Sequence, residues 1–418
     1  MLLRRKKSQI AVSLSLLMGM AFTATVNAEV SLQQAIEIQQ SLLTLDTHLD
    51  TPANLVQPGF DIMARHSYDH DFNQVDVPRM QDGVLDGGFW AIYSSQGPLT
   101  EKGYQQSRDT AILRALAIHT MVSEHPKTFA FATDADQAAA IKAAGKHVVY
   151  MSIENAYPLG NDISLLETFY KLGVRMAGPV HFKNNQLGDS STDPDGPKWG
   201  GLSPLGEQFV AEANRLGIVL DGSHAGDATV KDMMRLSKTP IMLSHSGSKA
   251  VYDHPRNVDD ELLKQLAASG GVIQMNAYSS YLKKLPDNPK RSEAFKGFIA
   301  MMHESNGEAD AAHYEKMQQL RRKIEHDYPA VSATFEDYME HFLHTLKVVG
   351  PKHVGIGADW DGGGGVEGMM DVSSLPKITQ RLLNEGYSKQ DLADIWGLNA
   401  LRVLKAADDY AKQPKLSQ

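Results

Sequence analysis

Leu45-Asp46-Thr47-His48-Leu49-Asp50-Thr51-Pro52 is the stretch whose reading decides the fold of this chain. Successive side chains of a strand point to opposite faces, so His48 and Asp50 share a face and can hold one cation between an imidazole nitrogen and a carboxylate oxygen. Leu42, Leu43 and Leu45 make the approach apolar enough for a buried strand, and Pro52 stops the ladder just after the pair. The pair therefore sits at the carboxyl end of a strand. It is half of a metal site, and the remaining ligands must come from elsewhere.

Further apolar runs, many of them β-branched, occupy residues 87–93, 147–153, 173–180, 217–221, 240–244, 271–276 and 353–358. Residues 104–123, 134–144, 203–215, 226–237, 258–268, 374–385 and 388–406 carry apolar side chains at helical spacing. Eight short apolar runs alternating with helices predict an α/β fold, a (β/α)8 TIM barrel. The exception is a charged, helix-prone insertion from Ser280 to about Asp337, between runs seven and eight. Long elaborations at that end of a barrel cover the active site or make a subunit contact. There is no internal repeat, low-complexity tract or linker, so residues 29–418 read as a single domain.

Polar residues fall at the carboxyl ends of six runs: His48 with Asp50, then Glu154, His181, His224, His245 and Asp359. Barrel topology brings those ends into one mouth, where the active sites of this architecture lie. An isolated strand-end histidine is more often a hydrogen-bonded structural group, but coincidence at six ends is hard to accept. So many nitrogen and oxygen donors exceed one tetrahedral zinc and suit two Zn2+ ions per chain with Glu154 as the bridge. In that arrangement His48 and Asp50 serve one ion, His224 and His245 the other, and a bridging hydroxide attacks an amide carbonyl. Asp359 directly follows its run and is the candidate proton carrier, whereas Asp361 sits where Gly362 turns the chain. Tyr278, just past run seven, is counted as substrate-facing. Asn54, Asp189 and Ser190 are either supporting residues or merely solvated, and His66, His70, His254, His341, His344 and His353 read as loop, surface or packing groups.

The first residues predict export. Arg4, Arg5, Lys6 and Lys7 precede an apolar segment, residues 10–22, too short to span a bilayer comfortably, and Val26-Asn27-Ala28 is a small-residue cleavage signal. Residues 1–28 are read as a signal peptide, with Glu29 as the mature start in the periplasm or outside the cell. Removing four basic and no acidic side chains moves the formal charge from -9 to -13, which disfavours nucleic acid and anionic membranes as partners. No cysteine occurs, so a metal must be held by nitrogen and oxygen alone.

These motifs carry a family resemblance. The His-x-Asp of run one, Gln74-Val75-Asp76-Val77-Pro78-Arg79, Gly87-Gly88-Phe89-Trp90, Ile153-Glu154, Asp221-Gly222-Ser223-His224, Ser244-His245-Ser246, His254-Pro255-Arg256-Asn257-Val258 and the segment from Val354 to Gly362 are similar to those of the renal (membrane) dipeptidases, peptidase family M19, within the metal-dependent amidohydrolases. The resemblance implies two zinc ions on His48, Asp50, Glu154, His224 and His245, with His181 near the scissile carbonyl and Arg256 facing the substrate carboxylate. It also implies a homodimer. One departure stands out: Asn155-Ala156-Tyr157 follows Glu154 where the family has two glycines, which bears on loop shape and substrate preference.

The resulting expectation is an exported dinuclear zinc dipeptidase acting on small dipeptides, including ones with a C-terminal D-residue. The alternatives are another metal-dependent amidohydrolase acting on a small carboxylate-bearing amide or lactam, and a periplasmic binding protein that captures ligand through a metal. The second has no use for Asp359 as a proton acceptor, and turnover separates it from an enzyme.

Overall fold

The computed structural model describes residues 29–304 and 311–414. The predicted signal segment lies outside the described residues. The strands are β1 (Leu45–Leu49), β2 (Gly87–Ile92), β3 (Phe129–Phe131), β4 (His147–Ile153), β5 (Val174–Ala177), β6 (Val219–Leu220), β7 (Met242–Ser248), β8 (Asn257–Val258), β9 (Val272–Met275) and β10 (Val354–Ile356). One arc runs β1-β2-β4-β5-β6 and the other β10-β9-β7, every neighbouring pair parallel. Parallel bridges Asp221 to Met242 and Leu49 to Trp360 join the two arcs and close an eight-stranded barrel. β3 and β8, outside this ring, pair with β4 and β7.

The eight ring strands are the eight apolar runs of the sequence. Strands of a parallel barrel are covered on both faces, which is why they read as continuous apolar runs rather than alternating ones. All five residues of β1 and all six of β2 are buried. Helices cover the outside, each started by local chemistry: Thr100 caps Glu101–Glu124 and Ser203 caps Pro204–Leu216, their side chains accepting from the Gly103 and Gly206 N–H groups. The helical pattern over 388–406 is divided into Lys389–Ala393, a π-turn at Asp394–Leu398, and Asn399–Ala411.

Leu45, Val219, Met242 and Val272 start their strands and, with Phe89, Tyr150 and Met176 further along theirs, form one buried cluster with Val403, Leu404 and Ala407 of the last helix. The amino-terminal end of the barrel is thus plugged with side chains, where a Leu-to-Ala truncation costs about 2–5 kcal/mol. The carboxyl end is left for chemistry. Around it stands the insertion, with helices Pro289–Glu304 and Ala311–Asp327 followed by Phe335–Val349, which a Thr334/Asp337 capping box starts. His341 on that last helix is a packing group: its Nδ1 accepts from Ser248 N–H and its Nε2 donates to the Leu282 carbonyl. Among the described residues no helix is long and apolar enough to cross a membrane.

Candidate metal centre

Glu154 leaves the end of β4 into the centre of the mouth, and its Oε1 is the point on which the histidines converge. His224 Nε2 lies 3.1 Å from it, His181 and His245 Nε2 each 3.5 Å, and His48 Nε2 3.6 Å. Asp50 Oδ2 is 3.3 Å from His48 Nε2, so the two residues of the opening stretch do share a face. His224 and His245 turn their Nε2 atoms toward each other at 2.8 Å. Three overlapping donor groups result, His48/Glu154/His245, Glu154/His181/His224 and His48/Asp50/Asp359, with each group's donor atoms within 4.8 Å of one another. All these residues except the half-buried His181 are buried.

This donor set fits metal ions and is poorly satisfied by protein alone. Both ring nitrogens of His48, His224 Nδ1 and Asp50 Oδ1 are buried without a hydrogen-bond partner, and a buried polar group left unpaired costs about 1–3 kcal/mol. Burial pushes Glu154 well above the ordinary carboxyl range, helped by Asp50 and opposed by His48 and Arg256. Burial likewise raises Asp359 to about 7 against the pull of His48. Burial works to neutralise His48, but Asp50 and Glu154 outweigh it and hold the imidazole charged up to about 10. His224 and His245 go the other way: burial, then Arg256 and His48 respectively, keep them neutral with lone pairs to give. Crowded carboxylates beside neutral imidazoles in a water-poor mouth are what bound cations relieve.

Backbone geometry enforces the arrangement. His224 and Asp359 adopt left-handed backbone, φ 65° and 68°, a conformation that costs non-glycine residues roughly 1–2 kcal/mol each. The turn after Asp359 is pinned to β1 by Asp50 N–H donating to the Trp360 carbonyl (2.8 Å) and by Thr51 Oγ1 donating to Asp361 Oδ2 (2.7 Å). Asp361 also accepts from Gln74 N–H, so it fastens the turn and points no oxygen at the ligands. Gly362 is required by close approach: a Cβ there would stand 2.0 Å from Asp50 Oδ2 and 2.3 Å from Asp359 Oδ1.

A supporting layer lies behind the ligands, and sequence reasoning missed most of it. Asp221 Oδ2 accepts the Ser244 hydroxyl (2.5 Å), and Ser244 Oγ lies 2.8 Å from His245 Nδ1. Because the carboxylate can only accept, the single hydroxyl hydrogen goes to Asp221, and Ser244 Oγ must accept from His245 Nδ1–H. That fixes the tautomer and leaves Nε2 bare toward the centre. Asp46 accepts from the His48 and Ala358 N–H groups beneath the site. Asn276 Nδ2 donates to Asp359 Oδ2 (3.3 Å), and Tyr93 packs on His181 with ring centroids 4.9 Å apart. The only signal for these in the sequence was nearness to a ligand: Asp46 and Ser244 are each within two residues of one, and Asn276 lies at a strand end.

The remaining predicted residues are close by. Ser190 Oγ donates to the His181 carbonyl, and Asp189 gathers the N–H groups of residues 198–201, so both hold the His181 loop. Asn54 Oδ1 accepts from Gln57 Nε2. Arg256 is buried, donates to the His245 carbonyl (3.0 Å), lies 5.3 Å from the Tyr281 ring centroid, and keeps Nε unpaired. Tyr278 stacks on Tyr281 at 4.4 Å and abuts Gly363. In the departing Asn155-Ala156-Tyr157 segment, Asn155 Oδ1 accepts from Tyr157 N–H and Asn185 Nδ2, tying the Glu154 loop to the His181 loop.

The chain is similar to known proteins along nearly its whole length. A sequence profile for the membrane dipeptidases, peptidase family M19, matches residues 32–418. Dipeptidase aclJ of Aspergillus oryzae is 31% identical over 356 residues, covering 82% of this chain and 73% of its own. The crystal structure of the probable dipeptidase PvdM from Pseudomonas aeruginosa superposes with a TM-score of 0.77 at 28% identity, over 91% of this chain and 99% of that one. A metallopeptidase from Rhodobacter sphaeroides, liganded with a phosphinate mimic of the dipeptide L-Ala-D-Ala, gives a TM-score of 0.69 at 25% identity, over 88% and 99% of the two chains. A metal-ready barrel mouth and a match along almost the entire described chain lead to one conclusion: this chain belongs to the membrane dipeptidase family, M19, of metallopeptidases.

Proposed function

We propose that the chain is an exported dipeptidase that uses two zinc ions to hydrolyse the single peptide bond of small dipeptides, working as a homodimer. The observation that carries this reading is the convergence of four imidazole nitrogens within 3.6 Å of one buried carboxylate oxygen of Glu154. His48 and Asp50 would hold one ion, His224 and His245 the other, with Glu154 between them. Zinc bound there supplies a nucleophile from water at neutral pH and polarises the scissile carbonyl.

The chain's own residues do the rest. Asp359, with Oδ2 oriented by Asn276, takes the proton released on attack and returns it to the leaving amine. Burial, then Arg256, push His181 down to about 3, so it meets the substrate neutral and donates a hydrogen bond to the developing oxyanion. Arg256, desolvated and with Nε unpaired, clamps the substrate's terminal carboxylate, leaving no room for a third residue. The acceptance of a C-terminal D-residue is supported by the L-Ala-D-Ala mimic held by the Rhodobacter sphaeroides relative.

The test is kcat/KM of the zinc-loaded protein on a dipeptide, its C-terminal amide and the matching tripeptide. The free dipeptide should be the best substrate by roughly ten- to a hundredfold over its amide, the range for one charge-assisted bidentate contact. Equal turnover of all three would reject the clamp and the dipeptide reading with it.

A further inference from the structure

Phe182 follows His181 out of the barrel mouth and is 46% exposed, in a chain whose core aromatic rings are almost wholly covered. Its ring is not a free surface group. The ring centroid lies 3.8 Å from that of His181, with the planes tilted by 39°, and 5.3 Å from that of His224, which it meets edge-on at 67°. One bare aromatic ring therefore leans on two imidazoles of the proposed metal centre.

The backbone around this ring is fixed before any ligand arrives. Ser190 Oγ donates to the His181 carbonyl (2.5 Å), Thr192 Oγ1 to the Phe182 carbonyl (3.2 Å), and Ser191 N–H, between them, to the His224 carbonyl (2.8 Å). Just beyond, Asn184 N–H donates to Asp193 Oδ2 (2.7 Å). With its backbone held and only two side-chain torsions to order, the ring presents contact area at little cost in conformational entropy. It has no polar atom, so what it offers a ligand is apolar surface alone, and covering that surface with carbon is favourable.

We propose that Phe182 determines side-chain specificity, as the wall against which an apolar side chain of the substrate packs. This role rests on the dipeptidase reading and adds to it the class of dipeptide, one with a leucine- or phenylalanine-like side chain. In that reading the reacting carbonyl lies beside His181, and both side chains of a dipeptide spring from the carbons that flank the scissile amide. The ring adjoining His181 is thus within a side chain's reach. A polar side chain laid on it would give up water for no hydrogen bond. Arg256 already sets positive charge against His181, which disfavours a lysine or arginine side chain on the neighbouring ring face.

The experiment measures kcat/KM on dipeptides of alanine carrying Leu or Asn at either position, for the zinc-loaded wild type, Phe182→Leu and Phe182→Ala. Leu and Asn are close in shape and differ in polarity, and their ratio within one protein cancels any general loss of activity. In one of the two positions the wild type should prefer Leu by roughly tenfold, since each covered methylene is equivalent to about fourfold. The ratio should fall to within about twofold of one in Phe182→Ala and lie between the two in Phe182→Leu. If the ring only props His181, Phe182→Ala lowers kcat by one factor on every dipeptide and leaves the ratio unchanged. That result overturns the specificity role, as does a wild type without a Leu preference at either position, or loss of all turnover in both variants. Failure of the wild type to cleave any dipeptide would instead overturn the dipeptidase reading and take this wall with it.

Discussion

One proton on His245 illustrates how the site is set at the scale of single residues. Its Nδ1–H is held by Ser244, which is committed to Asp221, so the metal-facing nitrogen is bare before any ion arrives. Ser244→Ala removes that constraint without replacing a ligand and should weaken zinc binding about 10- to 100-fold, measured by competition with a chelator; by leaving Asp221 Oδ2 unpaired it should also cost the zinc-free protein about 1–3 kcal/mol. Protonation also sets a pH dependence. In the metal-free site, against the pull of burial, Asp50 and Glu154 hold the proton on His48 up to about 10, so His48 carries at neutrality a proton that zinc must displace. Apparent zinc affinity should therefore rise with pH up to about 10, where His48 loses its proton unaided, by roughly tenfold per pH unit for the one proton released. Isothermal titration in two buffers of different ionisation enthalpy counts that proton, and a pH-independent affinity would remove the displaced proton from the account.

At the scale of elements, the barrel strands were legible because a parallel sheet buried on both faces writes itself as apolar runs, and the residues that converge on Glu154 because each follows such a run. Other features were not. β3 and β8 have three and two residues, too short for any periodicity, and the seven-residue helix Leu165–Lys171 between β4 and β5 shows no clear stripe. Asp221 and Ser244 were hidden for a different reason: polar residues that act by orienting a neighbour have no periodicity of their own. Arg256 lies in a loop and was reached only through family resemblance. The turn after β10 shows what spacing cannot convey, since Gly362 reads as a simple turn residue yet fills the space between Asp50 and Asp359. Gly362→Ala would drive a methyl group to within 2.0–2.3 Å of those two oxygens. It should cost zinc occupancy and activity together while the circular dichroism spectrum stays that of the wild type. Retained zinc in that variant would mean the turn is more pliant than its hydrogen bonds to β1 indicate.

For the molecule as a whole, the division of labour is between a plugged amino-terminal end, where Leu45, Phe89 and Leu404 supply stability, and a carboxyl end where strain and unpaired polar atoms gather. Such unpaired atoms lower stability in the metal-free protein, and ligands that bind only the native state return it. The export reading makes a prediction at this scale: protein recovered from its native cells should begin at Glu29, which mass spectrometry of the intact chain establishes, and retention of residues 1–28 would contradict cleavage. The central claim, that one carboxylate organises two zinc ions for peptide hydrolysis, is tested most directly by titrating the metal-free protein with zinc while following hydrolysis of Ala-Ala. The account predicts activity that climbs until two equivalents per chain are bound and then levels. A plateau at one equivalent, or full activity before any zinc is added, would contradict it.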